Sequence, residues 1–409
     1  MTDVFRTNQV CVRVRACDDV SRWVVTFDNF GLGPGFDRLG FGERFLTKYG
    51  ISAVHVMGAG DDWYQYPEMV EAMAAVRGVT EGAQTVMTYG SSMGGYAAIR
   101  FADAARATAT LALSPQHNID PSRPPFDQRW AEAAGRIRWL PQFAGPLRAG
   151  DRPPVVVYDS RSTDAAQVDA IAAEIEITPI ALPYGGHPIS SHLTEIGLLK
   201  PLFFAVLEDR LDTRVFRAEA RSRRNTPVYL TEVSQALSGR RLQTALVLAA
   251  RGLEEFDLNT RVVSNLGALQ MKAGLHEEGL ATLARAVDLW RTDTTLIPYA
   301  NALMDVGRGA DAAAIVEEVV GLLPEASHVR LWQAIVAWRT EDYAGALAAC
   351  RETLRLDPGN AHAPAILAAC EAAVAAPSPT LIGPPRKRRA RRLGSLLRRA
   401  YRGPMRPAG

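Results

Sequence analysis

At 409 residues the chain exceeds the size at which one hydrophobic core keeps growing, so it divides into at least two domains. A hydrophobic share of 47% against 22% charged residues excludes a wholly disordered or fibrous chain. The formal charge of +2 is a sum of unlike parts: residues 379–409 hold ten Lys and Arg and no acid, leaving 36 basic and 44 acidic residues, a net −8, in the rest.

The N-terminal stretch MTDVFRTNQVCVRVRACDD lacks the apolar region of a signal peptide, and no run of eighteen apolar residues follows it, so the sequence predicts a cytoplasmic protein. Cys11, Cys17, Cys350 and Cys370 form two distant pairs with neither metal-ligand nor disulfide-framework spacing, as in a reducing compartment. Between about residues 8 and 208, apolar runs of strand length alternate with amphipathic stretches of helix length. The runs are QVCVRVRA, RWVVTF (22–27), ISAVHVMG (51–58), AQTVMTYG (83–90), ATATLALS (107–114), PPVVVYDS (153–160) and ITPIALPYG (177–185). Helices are predicted at 41–49, 66–78, 94–105, 164–175 and 190–208. This order predicts an α/β fold, a mostly parallel sheet covered by helices, over residues 1–210. A charged helical linker follows at 211–225.

From 226 to 376 the strand-like runs vanish and Ala- and Leu-rich helices repeat with a period near 34 residues. RLQTALVLAARGLEEF, LHEEGLATLARAVDLW, GADAAAIVEEVVGLLP and DYAGALAACRETLRLDP align so that Ala245, Gly279, Ala312 and Ala346 are equivalent, small residues that let paired helices approach. Gly274 and Gly307, and Pro324 and Pro358, recur where helices end. This resembles the tetratricopeptide repeat, whose stacked helix pairs ordinarily recognise a protein or peptide partner. APSPT and GPP then break helical order, and a basic tail occupies 377–409. Within 386–402, Leu393, Leu396, Leu397, Ala400 and Tyr401 would form an apolar stripe among arginines on a helix. That pattern suits an anionic membrane surface, with nucleic acid as the weaker alternative and a solvated tail as the plain one.

The string Gln84-Thr-Val-Met-Thr-Tyr-Gly-Ser-Ser-Met-Gly-Gly-Tyr carries the most chemistry. A strand runs directly into Gly90-Ser91-Ser92-Met93-Gly94, and a helix-forming run follows, as a nucleophile elbow requires. Glycines two before and two after Ser92 keep neighbouring side chains clear of the turn, and the helix after it aims backbone N–H groups at the site. A serine nucleophile needs a base, and His187, in Gly185-Gly186-His187-Pro188 after the last strand, lies at the same sheet edge; His192 is the alternate. The acid is expected after an intervening strand, where Asp164 comes a short loop beyond the strand and Asp159 at its end. Asp164 is otherwise the N-cap of the next helix. His117, after the strand ending near Ser114, also faces this edge and is a candidate to line the substrate site. Trp63 and Tyr64, with Tyr66, group after the strand 51–58, either as a substrate wall or as a packed loop cover. The interval between the strands at 107–114 and 153–160 leaves room only for a small lid, so an open or shallow site is expected.

On these motifs and this order the segment 8–208 resembles the α/β-hydrolase superfamily. The resemblance implies acyl transfer by Ser92, His187 and Asp164 on a soluble or carrier-bound ester. It further implies an oxyanion hole formed by the N–H of Met93 and one from the loop 27–31, with Asn29 or Phe30 as the donor. No metal or organic cofactor is called for. GLGPGF (31–36) lacks the final glycine of a dinucleotide loop and the lysine of a P-loop.

Overall fold

The computed structural model describes residues 1–360 and 362–375; the tail at 377–409, with its expected membrane stripe at 386–402, lies outside the described residues. The chain splits into two compact units, with the division after Val233.

The first unit is built on eight strands: β1 (Thr2–Arg6), β2 (Val10–Arg15), β3 (Arg22–Phe27), β4 (Ser52–Gly58), β5 (Thr85–Ser91), β6 (Ala109–Leu113), β7 (Val155–Tyr158) and β8 (Thr178–Ala181). They form one sheet in the order β1-β2-β4-β3-β5-β6-β7-β8. β1 and β2 are antiparallel to each other and β2 to β4, while every pair from β4 to β8 along the sheet is parallel. β4 is buried along its whole length and β5 at every residue but its first, because helices cover both faces, as in other parallel sheets. β1 is absent from the predicted runs: its residues alternate between exposed and half-buried at the sheet edge, where little apolar patterning is needed.

Successive residues of a strand feed different layers. Val25 and Phe27 of β3 pack with Val54 and Val56 of β4 against Met69, Met73 and Val76 of helix α2 (Met69–Val79) and Tyr96 and Ala97 of helix α3 (Met93–Arg100). Val24, Ala53, Met87 and Tyr89 face the other layer. There they meet Leu46 of helix α1 (Glu43–Lys48), Leu193 of α6 (Ile189–Glu195) and Leu202 and Phe203 of α7 (Leu199–Leu207). The predicted helix at 190–208 is thus two helices, separated where Gly197 takes φ +70°.

The stretch expected as a linker belongs to this unit. It forms α8 (Thr213–Ser222), whose Phe216 and Ala220 are buried in the same core as Phe203 and Ile180. The division falls instead inside α9 (Pro227–Leu237).

Between β6 and β7 the chain does more than cross over. It builds a cap of two short 3-10 turns, Gln128–Trp130 and Pro141–Phe143, around α4 (Ala131–Arg136). Helix α5 (Asp164–Glu174) follows β7.

Among the described residues, the second unit is all helical: after the end of α9 come α10 (Leu242–Glu255), α11 (Thr260–Lys272), α12 (His276–Leu289), α13 (Asp293–Asp305), α14 (Gly309–Leu322), α15 (Ser327–Arg339), α16 (Tyr343–Leu356) and α17 (Ala363–Ala375). The aligned small positions fall in every second helix, and Ala245, Ala312 and Ala346 are fully buried. At Gly279 a Cβ would lie 2.8 Å from the sulfur of Met271 on α11, so a side chain there would push the pair apart. Gly274 and Gly307 both take φ +83° just past a helix end, the left-handed cap that glycine adopts without steric cost.

Candidate functional site at the strand ends

Three loops at the C-terminal ends of parallel strands converge on Ser92. The serine follows β5 and precedes α3, with φ +54° and ψ −117°, a conformation that costs a non-glycine residue energy and turns its side chain away from both elements. Its N–H is fixed to the Leu113 carbonyl of β6 at 2.8 Å. The glycines around it are required by close backbone packing: a Cβ on Gly90 would overlap the carbonyl of Gly94, and one on Gly94 would lie 2.9 Å from the Asp28 carbonyl and nearer still to that of Phe27.

Ser92 Oγ lies 3.0 Å from His187 Nε2. On the far side of the ring, His187 Nδ1 is 3.0 Å and 3.1 Å from the two carboxylate oxygens of Asp164. Asp164 is only 1% exposed. Burial alone would raise its carboxyl, but the charges of and hydrogen bonds from His187 and Arg129 more than reverse this and hold it at about 2. Asp164 is also the first residue of α5 and not its cap.

The alternate residues do other work. Asp159 accepts from the N–H groups of Tyr184 and Gly186, each at 2.9 Å, and so pins the loop that carries His187. His192 is buried with Nδ1 3.3 Å from the Thr226 hydroxyl, and burial pushes it down to about 4. His117 does not turn to the serine: Nε2 lies 2.7 Å from Glu174 and Nδ1 2.8 Å from the amide of Asn118. Its neighbour Gln116 reaches the site instead, donating to Ser92 Oγ at 3.4 Å and accepting from Trp63 Nε1 at 3.4 Å.

Tyr64 is a structural strut and forms no part of a wall. It is 1% exposed, donates to the Val56 carbonyl at 3.0 Å and accepts from the Asp28 N–H. Trp63 lies in an aromatic cluster, 5.6 Å from Phe30 and 5.1 Å from Trp130 between ring centroids. Met93 is the first residue of α3, so its N–H has no acceptor within the helix. The Asp28–Asn29 loop runs beside that turn through Gly94, and the Asn29 side-chain amide donates to the Phe30 carbonyl at 2.9 Å.

The site is covered, in contrast to the open or shallow one expected. Ser92 is 5% exposed, and Trp130 of the cap packs edge-on to the His187 ring at 5.7 Å. Beside it, Arg129 joins Asp164 at 2.5 Å and Asp127 at 2.9 and 3.0 Å. Neither residue stands out in the sequence, where RW inside a Pro-rich stretch has no periodicity to mark it. A hollow of about 240 Å³ lies away from Ser92, lined by Met69, Met73, Arg77, Phe101, Phe143 and Arg148.

Comparison with known proteins bears on the second unit. Residues 300–361 match the tetratricopeptide repeat family, so the helical unit carries tetratricopeptide repeats. No relative is found among the curated proteins. Among solved structures, the chain is similar to MamA from Desulfovibrio magneticus RS-1, with 13% identity, a TM-score of 0.32, and 36% of this chain and 85% of that one covered. It is also similar to YrrB, described as a TPR protein with an unusual peptide-binding site, at 15% identity and TM-score 0.32, covering 39% and 83%. A third is the first TPR of Spaghetti bound to an HSP90 peptide, at 18% identity and TM-score 0.27, covering 29% and 94%. At these scores none of the three supports a functional inference for this chain. Among the described residues, no helix is long and apolar enough to cross a membrane.

Proposed function

We propose that the first unit is a serine hydrolase or acyltransferase of the α/β-hydrolase type and that the repeats bring it to a protein partner. The observation that carries the catalytic half is the unbroken line from Ser92 Oγ through the His187 ring to Asp164, each step within 3.1 Å. Serine, acid and histidine also occur in the chain order used by that superfamily, each after its own parallel strand. In this reading His187 Nε2 takes the Ser92 proton as the hydroxyl oxygen attacks an ester or thioester carbonyl. Asp164 holds the Nδ1 proton and stabilises the imidazolium, and the Met93 N–H, with one from the Asn29 loop, receives the oxyanion. His187 then returns the proton to the leaving group, and water or another acceptor releases the acyl-enzyme.

The test is active-site labelling. A fluorophosphonate should attach to the full-length protein at Ser92, and Ser92→Ala should remove the label. Labelling that survives that substitution would overturn the assignment.

A second reading has a specific finding in its favour. The tetratricopeptide match supports partner binding through the repeats, whereas no comparison speaks for hydrolysis, which rests on geometry alone. If the first unit is a non-catalytic scaffold, the native chain takes no label, and replacing it in cells by the Ser92→Ala form leaves its function whole.

A further inference from the structure

We infer that Arg129 is a positioning residue through which closure of the cap aligns Asp164 with His187, so that reactivity at Ser92 depends on the segment Asp127–Trp130. The inference rests on the hydrolase reading.

Two consecutive cap residues touch two different members of the triad. Arg129 bonds Asp164 Oδ1, one of the two carboxylate oxygens that face His187 Nδ1, at 3.1 Å against 3.0 Å for Oδ2. Trp130 stacks edge-on against the His187 ring and is held from behind by Phe30 at 5.1 Å and Trp63 at 5.1 Å. The segment is itself rigid where it needs to be. Asp127 accepts from the backbone N–H of Arg129 at 3.0 Å, grips the same guanidinium through both oxygens, and accepts from the Thr163 hydroxyl one residue before Asp164.

Charge makes the contact consequential. Asp127 and Asp164 are 3% and 1% exposed, and the guanidinium between them has only 11% of its side chain exposed. Without Arg129, two buried carboxylates would share one neighbourhood with a single imidazole, and buried like charges that lose their cation turn away or take up a proton. Either change removes the anion that sets the His187 tautomer and steadies its charge. Lifting the cap takes Arg129 and Trp130 away together, so the open site would be both wet and misaligned. Ser92 is only 5% exposed, and the cap packs against the base and the acid beside it, so in this inference substrate entry moves the cap. The residues therefore link closure over a bound acyl group to assembly of the base.

The experiment measures the rate of fluorophosphonate labelling at Ser92 in the full chain. Arg129→Ala should label on the order of 10- to 100-fold more slowly, the scale of a misplaced catalytic group, and millimolar guanidinium should restore part of the rate. That rescue separates positioning from a general loss of packing, and a melting curve shows that the variant is folded. Should Arg129→Ala not fold, Arg129→Lys serves instead. One ammonium cannot bridge both carboxylates bidentately, so slower labelling is again expected. A folded variant that labels at the native rate, or a loss in folded Arg129→Ala that guanidinium leaves in place, would overturn the inference. Native protein that takes no label at Ser92 would instead overturn the hydrolase reading beneath it.

Discussion

Asp159 and Asp164 lie five residues apart, are both buried, and do different things because of what each carboxylate faces. Asp164 faces the Arg129 guanidinium and the His187 ring. Asp159 faces peptide N–H groups and accepts three of them, from Arg161 at 2.8 Å as well as from Tyr184 and Gly186. Replacing it by alanine strands buried donors, each costing about 1–3 kcal/mol, and frees the loop bearing His187. We therefore expect Asp159→Ala to lower the melting temperature markedly and to slow labelling of Ser92. Asp159→Asn, which keeps one acceptor oxygen, should do less of both. Equal melting of native and Asp159→Ala protein would contradict this. The sequence places both acids at the correct strand end but cannot assign them, because the assignment depends on where residues 184–187 return. Distance in sequence also hides Arg129, which lies 35 residues from the carboxylate it holds. His117 misleads for a related reason: its position at the strand end is read correctly, but Glu174 on a neighbouring helix decides where its ring turns.

At the scale of elements, the strand–turn–helix around Ser92 is legible because its constraint is local. The glycine spacing states directly which backbone atoms must touch. Gly94→Ala would drive a methyl group into the Phe27 and Asp28 carbonyls, which are backbone and cannot swing aside. The expected cost is about 1–3 kcal/mol or more, as for an overpacked core. Ser91→Ala at the adjacent position is the control: its hydroxyl is buried without a partner, so its loss should leave stability unchanged or slightly raised. Urea unfolding of the two variants checks both, and a Gly94→Ala protein as stable as the Ser91→Ala one would contradict the packing argument. The alternation of apolar runs likewise predicts seven of the eight strands, β2 to β8, from patterning alone. The cap is the element that composition does not predict. Its aromatic residues follow no period, and Trp130 is partly buried only because Trp63, Phe30 and His187 come to meet it from other loops. The end of the first domain is obscured for a similar reason, since α8 looks like a charged linker until the two apolar residues that bury it are seen against α7 and β8.

Across the molecule, the near-neutral charge conceals a difference in how the two units answer to acid. The first unit buries three imidazoles, and at His55 and His192 that burial lowers the affinity for a proton. His55 is 1% exposed, with Nδ1 2.7 Å from the Thr26 hydroxyl, and burial, aided by Arg13 and Arg15, pushes it down to about 4. His192 is pushed to about the same value. Both are neutral in the fold, while an unfolded histidine gains its proton near pH 6.5. Between pH 6.5 and 4 the unfolded chain therefore binds more protons. The stability due to these groups is complete above that window and falls as pH falls, by about 2 kcal/mol each at pH 5. Asp164 acts in a lower range: with its folded value near 2, its contribution holds above the unfolded carboxylate value and is lost only as pH drops toward 2. The repeat unit's His276, His328 and His362 are exposed and lie outside any buried core. Hydrogen exchange resolved by peptide and corrected for intrinsic rate should show protection in residues 1–233 dropping between pH 7 and pH 5 more than in the repeats. His192→Gln should remove about half of that excess. A repeat unit that loses as much protection as the first would show that the acid response is not governed by these two buried rings.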